Sequence, residues 1–290
     1  MAISDLKSEM DRGESSPRWI YRHSFVVRLT HWIIVLCVMV LLASGLQIFN
    51  AHPALYWGNQ SDFDQPLLSM TAEQRGAGLA GVTTILGQRF TTTGVLGVSP
   101  DQFGKPTARG FPAWSTLPGY HDLATGRRWH FFFAWLLVFT GFGYLLYGVI
   151  SGHVRRDLLP SRRQLRHIGQ SIWDHLRLRF LKGEAAKRYN VLQKLSYIFV
   201  ILFLMPVLIL AGLAMSPALD AAFPALPAVF GGRQSARTVH FIAAVLLVGF
   251  VIVHVIMVLV SGALNNIRSM ITGNYVVESR GPADDEPTKT

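Results

Sequence analysis

Four long apolar runs decide what this chain can become. They cover about Val26–Phe49, Trp129–Val149, Leu195–Met215 and Val239–Val260, and the second carries no charged side chain. Each has ~20 residues or more, enough for a helix rising ~1.5 Å per residue to cross a ~30 Å hydrocarbon layer. In lipid the backbone has no water to bond, so such runs close their hydrogen bonds internally as helices. Half of the 290 residues are hydrophobic and 15% are charged, as in polytopic membrane proteins. The expected fold is therefore an all-α membrane protein, a four-transmembrane-helix bundle. Residues 76–98 are rich in Gly and Thr and interrupted by Arg89, so they do not make a fifth span. Pro206, midway along the third run, should kink it, with neighbouring helices satisfying the carbonyl it frees.

The net charge of +10 is a statement about topology rather than nucleic acid. Lys and Arg number five from the start to Arg28, eleven in residues 151–194 and three after residue 260. The opposite loops hold six in residues 50–128 and two in residues 216–238. The positive-inside rule then places both termini in the cytoplasm. Residues 1–24 read as a cytoplasmic leader, 25–260 as the four-helix core and 261–290 as a cytoplasmic tail. The apolar run after the leader is longer than a signal peptide's, so it is expected to stay as a helix. The single cysteine, Cys37, lies inside the first run, which excludes a disulfide framework and thioether-linked haem.

Two pieces lie outside the spans. Residues 50–128 form a long extracytoplasmic loop bearing Trp57, Phe63, Phe90, Phe103, Phe111, Trp114 and Tyr120. A connection of that length has a function or is disordered, and the aromatics favour order. The cytoplasmic basic loop, 151–194, places Leu165, Ile168, Ile172, Leu176 and Phe180 on one helical stripe, with Arg162, Arg163, Arg166, Arg177 and Arg179 around it. That pattern predicts an amphipathic helix along the membrane face over residues 161–180.

The histidines carry the chemistry. His240 and His254 are fourteen residues apart in the fourth run, so they point within ~40° of one another and lie ~21 Å apart along the helix. Ionisable groups at membrane depth are costly and are read as functional. His31 opens the first run and His130 the second. Alternating helix direction then gives two level pairs, His130 with His240 near the outer edge and His31 with His254 near the inner edge. Each pair can hold one metal centre, most simply a haem iron with two axial imidazoles. The second ring nitrogen of each ligand needs an acceptor, commonly a backbone carbonyl one turn away.

Supporting residues follow from the same heights. Gly45 is fourteen residues after His31 and Gly141 eleven after His130, both near the ligand direction, where a small residue admits a flat cofactor or a neighbouring helix. Arg28, Arg127, Arg128 and Arg237 lie within about a turn of the ligands and suit haem propionates, or anchor the spans at the interface. His153 sits where the inner centre should lie and fits an interfacial side chain or a quinone site. His167 and His175 fit the amphipathic helix, and His52 and His121 the outer loop.

Together, His31-Trp32 with Ser44-Gly45, Arg128-Trp129-His130, and His240 paired with His254 make the chain resemble the bacterial di-haem b-type cytochromes. These are the cytochrome b561 and nickel–iron-hydrogenase-type membrane subunits, which include those of formate dehydrogenases and thiosulfate-reductase-like complexes. The likeness covers the four-helix core. It implies two non-covalent haem b groups, a place in the bacterial inner membrane, and electron exchange between an extracytoplasmic catalytic redox subunit and the quinone pool. A molybdenum-cofactor oxidoreductase is the partner so implied. The long outer loop departs from the simpler members. Two alternatives stay open. One is a stand-alone superoxide:quinone oxidoreductase with a cationic funnel of Arg127, Arg128, Arg233 and Arg237. The other is a proton or metal-ion path, which lacks the broken, repeated helices of transporters.

Overall fold

A computed structural model describes residues 18–76, 78–152, 159–161, 166, 168, 169, 173 and 191–277. The leader up to residue 17, most of the basic loop and the end of the tail lie outside these. So do His153, His167, His175 and most of the expected amphipathic helix. Among the described residues, four helices are long and apolar enough to span a membrane: α1 (Phe25–Asn50), α2 (Leu123–Ile150), α3 (Val191–Ala214) and, after the short α4 (Pro217–Ala222) and α5 (Ala225–Val229), α6 (Arg233–Val260). Their large outward side chains are apolar, as Met39, Phe139, Phe142, Val245 and Leu259 show by being more than half exposed. A surface of that kind fits lipid rather than water.

Two helices begin earlier than hydropathy alone predicts. Asp122 accepts a hydrogen bond from the Thr125 backbone at 3.0 Å, a side-chain cap that starts α2 six residues before Trp129. Helix α6 starts just after Gly231 and Gly232, both with positive φ. His130 and His240 are therefore each seven residues into their helices, about two turns, rather than at the openings. In α3 the disturbance expected from Pro206 takes the form of a π-helical turn over Val200–Leu204, after which the helix continues from Met205. Proline offers no N–H, and a widened turn absorbs the mismatch without breaking the helix.

The chain divides into two compact units. One comprises residues 31–143 and 199–251. Within it Cys37, Phe133 and Leu137 pack with Ile33, Leu41 and Met205, and Val200, Leu204, Ala243 and Leu247 form a second core. The segment between α1 and α2 is where the all-α expectation needs correction. It folds as a β insertion: β2 (Ala54–Leu55), β3 (Leu68–Arg75), β4 (Gly78–Ile85) and β5 (Gln88–Thr91) form an antiparallel sheet in that order, and β6 (Gly97–Pro100) pairs with β7 (Pro106–Arg109). Thr and Val suit a pleated surface, and the Leu86-Gly87 turn, with positive φ at both residues, reverses the chain between β4 and β5. Its buried apolar residues include Leu55, Tyr56, Met70, Val82 and Val98. Arg109, 3% exposed, is satisfied by the Phe111 and Gly119 carbonyls and the Thr116 hydroxyl.

The other unit comprises residues 1–30, 144–198 and 252–290. Strand β1 (Arg18–Tyr21) pairs antiparallel with β8 (Asn274–Val277), which follows α7 (Ala263–Thr272). Arg268 lies over the Trp19 ring and Arg22 over the Tyr275 ring. The Tyr147 hydroxyl donates to Ser24 at 3.1 Å.

Candidate functional site

His130 of α2 and His240 of α6 come together in the first unit, their ring centres 6.2 Å apart and their planes at 65°. Each ring is tied through Nδ1 to a neighbouring helix. His240 Nδ1 lies 2.8 Å from the Leu208 carbonyl of α3. A carbonyl only accepts, so Nδ1 carries the proton. His130 Nδ1 lies 3.1 Å from the Ser44 hydroxyl of α1. The Ser44 hydroxyl is already donating to Val40 at 2.6 Å, so His130 is the donor in this contact too. Both imidazoles are thereby fixed as the tautomer whose Nε2 keeps a free lone pair, the form a metal requires. All four spans contribute to this arrangement.

The pair fits one metal ion. Two metal–imidazole bonds of ~2 Å, with ~1 Å more from each nitrogen to its ring centre, put the rings ~6 Å apart. Eleven residues on from His130, about 16 Å along α2, a side chain added at Gly141 would meet nothing within 4 Å. A Cβ at Gly45 would stand 3.3 Å from the His130 ring, so this glycine leaves room for that ring from the neighbouring helix. The expected acceptor one turn along the same helix is replaced. The Nδ1 acceptors come from other helices, 32 residues away for His240 and 86 for His130.

The remaining sequence candidates fall as follows. His31 is half-buried with its ring edge-on to Trp32, and His254 is half-buried edge-on to Tyr197. These two histidines belong to different units. Arg28 donates to the Ile271 carbonyl, and its buried Nε has no partner among the described residues. That orphaned donor suits an anionic group. Arg237 donates to the His52 carbonyl and covers the Phe49 ring, so part of its fork serves the β insertion. Arg127 and Arg128 are exposed, and Arg233 caps the Met215 carbonyl. His52 bonds the Tyr56 hydroxyl at 3.1 Å. Burial, then the Arg237 charge, lowers its pKa.

Sequence reasoning missed Leu41, Leu208 and Gly212. A Cβ at Gly212 would lie 3.2 Å from the His240 ring. The usable signal was a Leu-x-x-x-Gly spacing, Leu41 to Gly45 and Leu208 to Gly212, near the end of each helix that precedes a ligand.

A sequence model of the prokaryotic cytochrome b561 family, the nickel-hydrogenase cytochrome b type, matches residues 22–273. A relative from Azospira oryzae, described as putative protein-methionine-sulfoxide reductase subunit YedZ1, is 28% identical over 232 residues, covering 80% of this chain and 87% of that protein. No solved structure matches the chain. With four membrane-length helices and a family match over most of its length, the chain belongs to the prokaryotic cytochrome b561 family, the multi-pass membrane cytochromes that use b-type haem in electron transfer.

Proposed function

We propose that this chain is a di-haem b-type cytochrome subunit of the bacterial inner membrane, passing electrons between an extracytoplasmic redox partner and the membrane quinone pool. The observation that carries the reading is the His130/His240 pair, two imidazoles 6.2 Å apart with both Nδ1 positions occupied by hydrogen bonds. These residues would hold the outer haem, and His31 with His254, matched by sequence depth, the inner one. A bis-histidine haem has no open coordination position, so it supplies one-electron transfer rather than oxygen chemistry. The chain's own part is to fix both rings, exclude water with apolar helix faces, and offer cations. Arg28, Arg128 and Arg237 are the residues proposed for the propionates, with Gly141 leaving space beside the cofactor.

The Azospira relative is described as a reductase subunit. That favours an electron-transfer subunit over a self-sufficient superoxide:quinone oxidoreductase. It also favours electrons running from quinol to a catalytic reductase, for which a molybdenum-cofactor enzyme is the proposed class. The β insertion, with Trp57 61%, Phe103 84% and Trp114 85% exposed, is proposed as the docking face for that subunit, on the extracytoplasmic side. The proposed topology keeps residues 1–24 and 261–290 in the cytoplasm, with the 161–180 amphipathic helix on the same side.

The test is a reduced-minus-oxidised visible spectrum of purified protein with a haem-to-protein ratio. Two low-spin b haems per chain are expected. His130→Ala or His240→Ala should lose one of them, and His31→Ala or His254→Ala the other. A haem-free wild type from iron-replete cells overturns the reading. A His31→Ala protein that keeps both haems overturns the inner pairing alone.

A further inference from the structure

The two ligands at the outer site are held by one device used twice. In an α-helix the side chain at position i+4 lies back over the carbonyl of residue i. This chain shows it repeatedly. Thr30 bonds the Val26 carbonyl, Ser44 that of Val40, Ser196 that of Leu192 and Ser261 that of Met257, each four residues back. Leu208 and Leu41 are different, because the residue four places on is glycine, Gly212 and Gly45. At each, the space a side chain would take is filled by an imidazole from another helix. His240 Nδ1 reaches the Leu208 carbonyl at 2.8 Å, and His130 Nδ1 reaches the Ser44 hydroxyl at 3.1 Å, the hydroxyl itself lying 3.3 Å from the Leu41 carbonyl. A Cβ at Gly212 would stand 3.2 Å from His240 Cε1 and 3.3 Å from its Nδ1. At Gly45 the distances to His130 Cε1 and Nδ1 are 3.3 and 3.6 Å.

We infer that Gly45 and Gly212 are positioning residues for the axial ligands, each leaving the space through which an incoming imidazole reaches its Nδ1 partner, the Ser44 hydroxyl for His130 and the Leu208 carbonyl for His240. The inference rests on the proposed haem site. What it adds is the cause of ligand orientation: ring rotation and tautomer are set by an absent side chain on the facing helix. A hydrogen bond from Nδ1–H makes the coordinating nitrogen a better donor, which favours ferric over ferrous iron. The glycines therefore also set the reduction potential of the outer haem, holding it lower than an unbonded pair would.

The experiment compares Gly45→Ala and Gly212→Ala with wild type by haem content, redox titration and low-spin electron paramagnetic resonance. The methyl group should push each ring off its Nδ1 partner. Expected are a higher midpoint potential for one haem of the two, a shifted low-spin signal for that haem, and its affinity lower by about tenfold or more. The other haem should not change. Gly249→Ala is the control, since Gly249 faces ~180° away from His240 on α6 and its added Cβ would meet nothing within 4 Å. Gly212→Ser should be more severe than Gly212→Ala, because its hydroxyl can take the Leu208 carbonyl for itself. If Gly212→Ala does not accumulate, Gly45→Ala and Ser44→Ala carry the same test at His130. Variants that keep both haems with unchanged potentials and signals overturn the inference and leave the haem site standing. A wild type without haem overturns the site itself.

Discussion

His52 sits where the β insertion meets the end of α1, bonded to the buried Tyr56 hydroxyl and close to Arg237. Burial and then that guanidinium lower its pKa, and burial and then Arg109 do the same to His121. The folded chain thus holds both rings neutral at a pH where the unfolded chain protonates them. Between the folded value and the unfolded value of ~6.5 the unfolded state binds more protons, so stability rises with pH and is lost as pH falls below ~6.5. Thermal unfolding of the insertion, followed by Trp57 and Trp114 fluorescence, should come at a lower temperature at pH 5 than at pH 7.5. In His52→Gln the difference should shrink. An equal difference in wild type and variant would remove His52 from the account.

At the scale of elements, the β insertion depends on two backbones meeting without side chains between them. A Cβ at Gly81 of β4 would stand 2.2 Å from the Leu96 carbonyl oxygen, and one at Gly97 of β6, where φ is +77°, 2.5 Å from that of Thr71. Neither contact can relax by rotating a side chain. Gly81→Ala or Gly97→Ala should destabilise the insertion by about 3 kcal/mol or more. Limited proteolysis would then cut residues 50–128 while the helices persist, and wild-type resistance in both variants would contradict it. The same elements show how far the sequence could be read. The spans were legible because ~20 apolar residues in lipid allow one conformation, and the meeting of His130 with His240 because alternating helices convert position into depth. The strands were not, because Gly81, Gly97 and the Thr run blur the alternation that marks a half-buried strand. The aromatics pointed to order for a reason the structure replaces. Of the seven, Phe111 packs against the Phe49, Leu55 and Met70 cluster, whereas Phe63, Phe90, Phe103 and Trp114 are exposed. Gly212 escaped notice because its use depends on a ring 28 residues further on.

For the molecule as a whole, an even number of spans should return the chain to the side from which it started. The β1–β8 pairing, with Trp19 opposite Val276 and the Arg22 backbone donating to Gly273 at 2.8 Å, ties the two flanks of the spanning region together. Cys37, the only cysteine, is fully buried, so introduced thiols can be read against a low background. Tyr21→Cys and Thr272→Cys should both be labelled by an impermeant maleimide in inverted vesicles and spared in intact spheroplasts. Labelling from opposite faces would contradict the pairing, and labelling of both in spheroplasts would reverse the proposed orientation.

The outer pair draws its parts from both halves of the chain: Ser44 steadies His130, and Leu208 steadies His240. No nascent fragment holds the complete arrangement, because its last member arrives only with the fourth span. At the proposed haem site, pigment capture then comes late in biogenesis, after every hairpin has inserted. A group that binds only the finished bundle also pulls the equilibrium toward it. Scarcity of that group would show first as faster turnover of the polypeptide, before any colourless pool could build up.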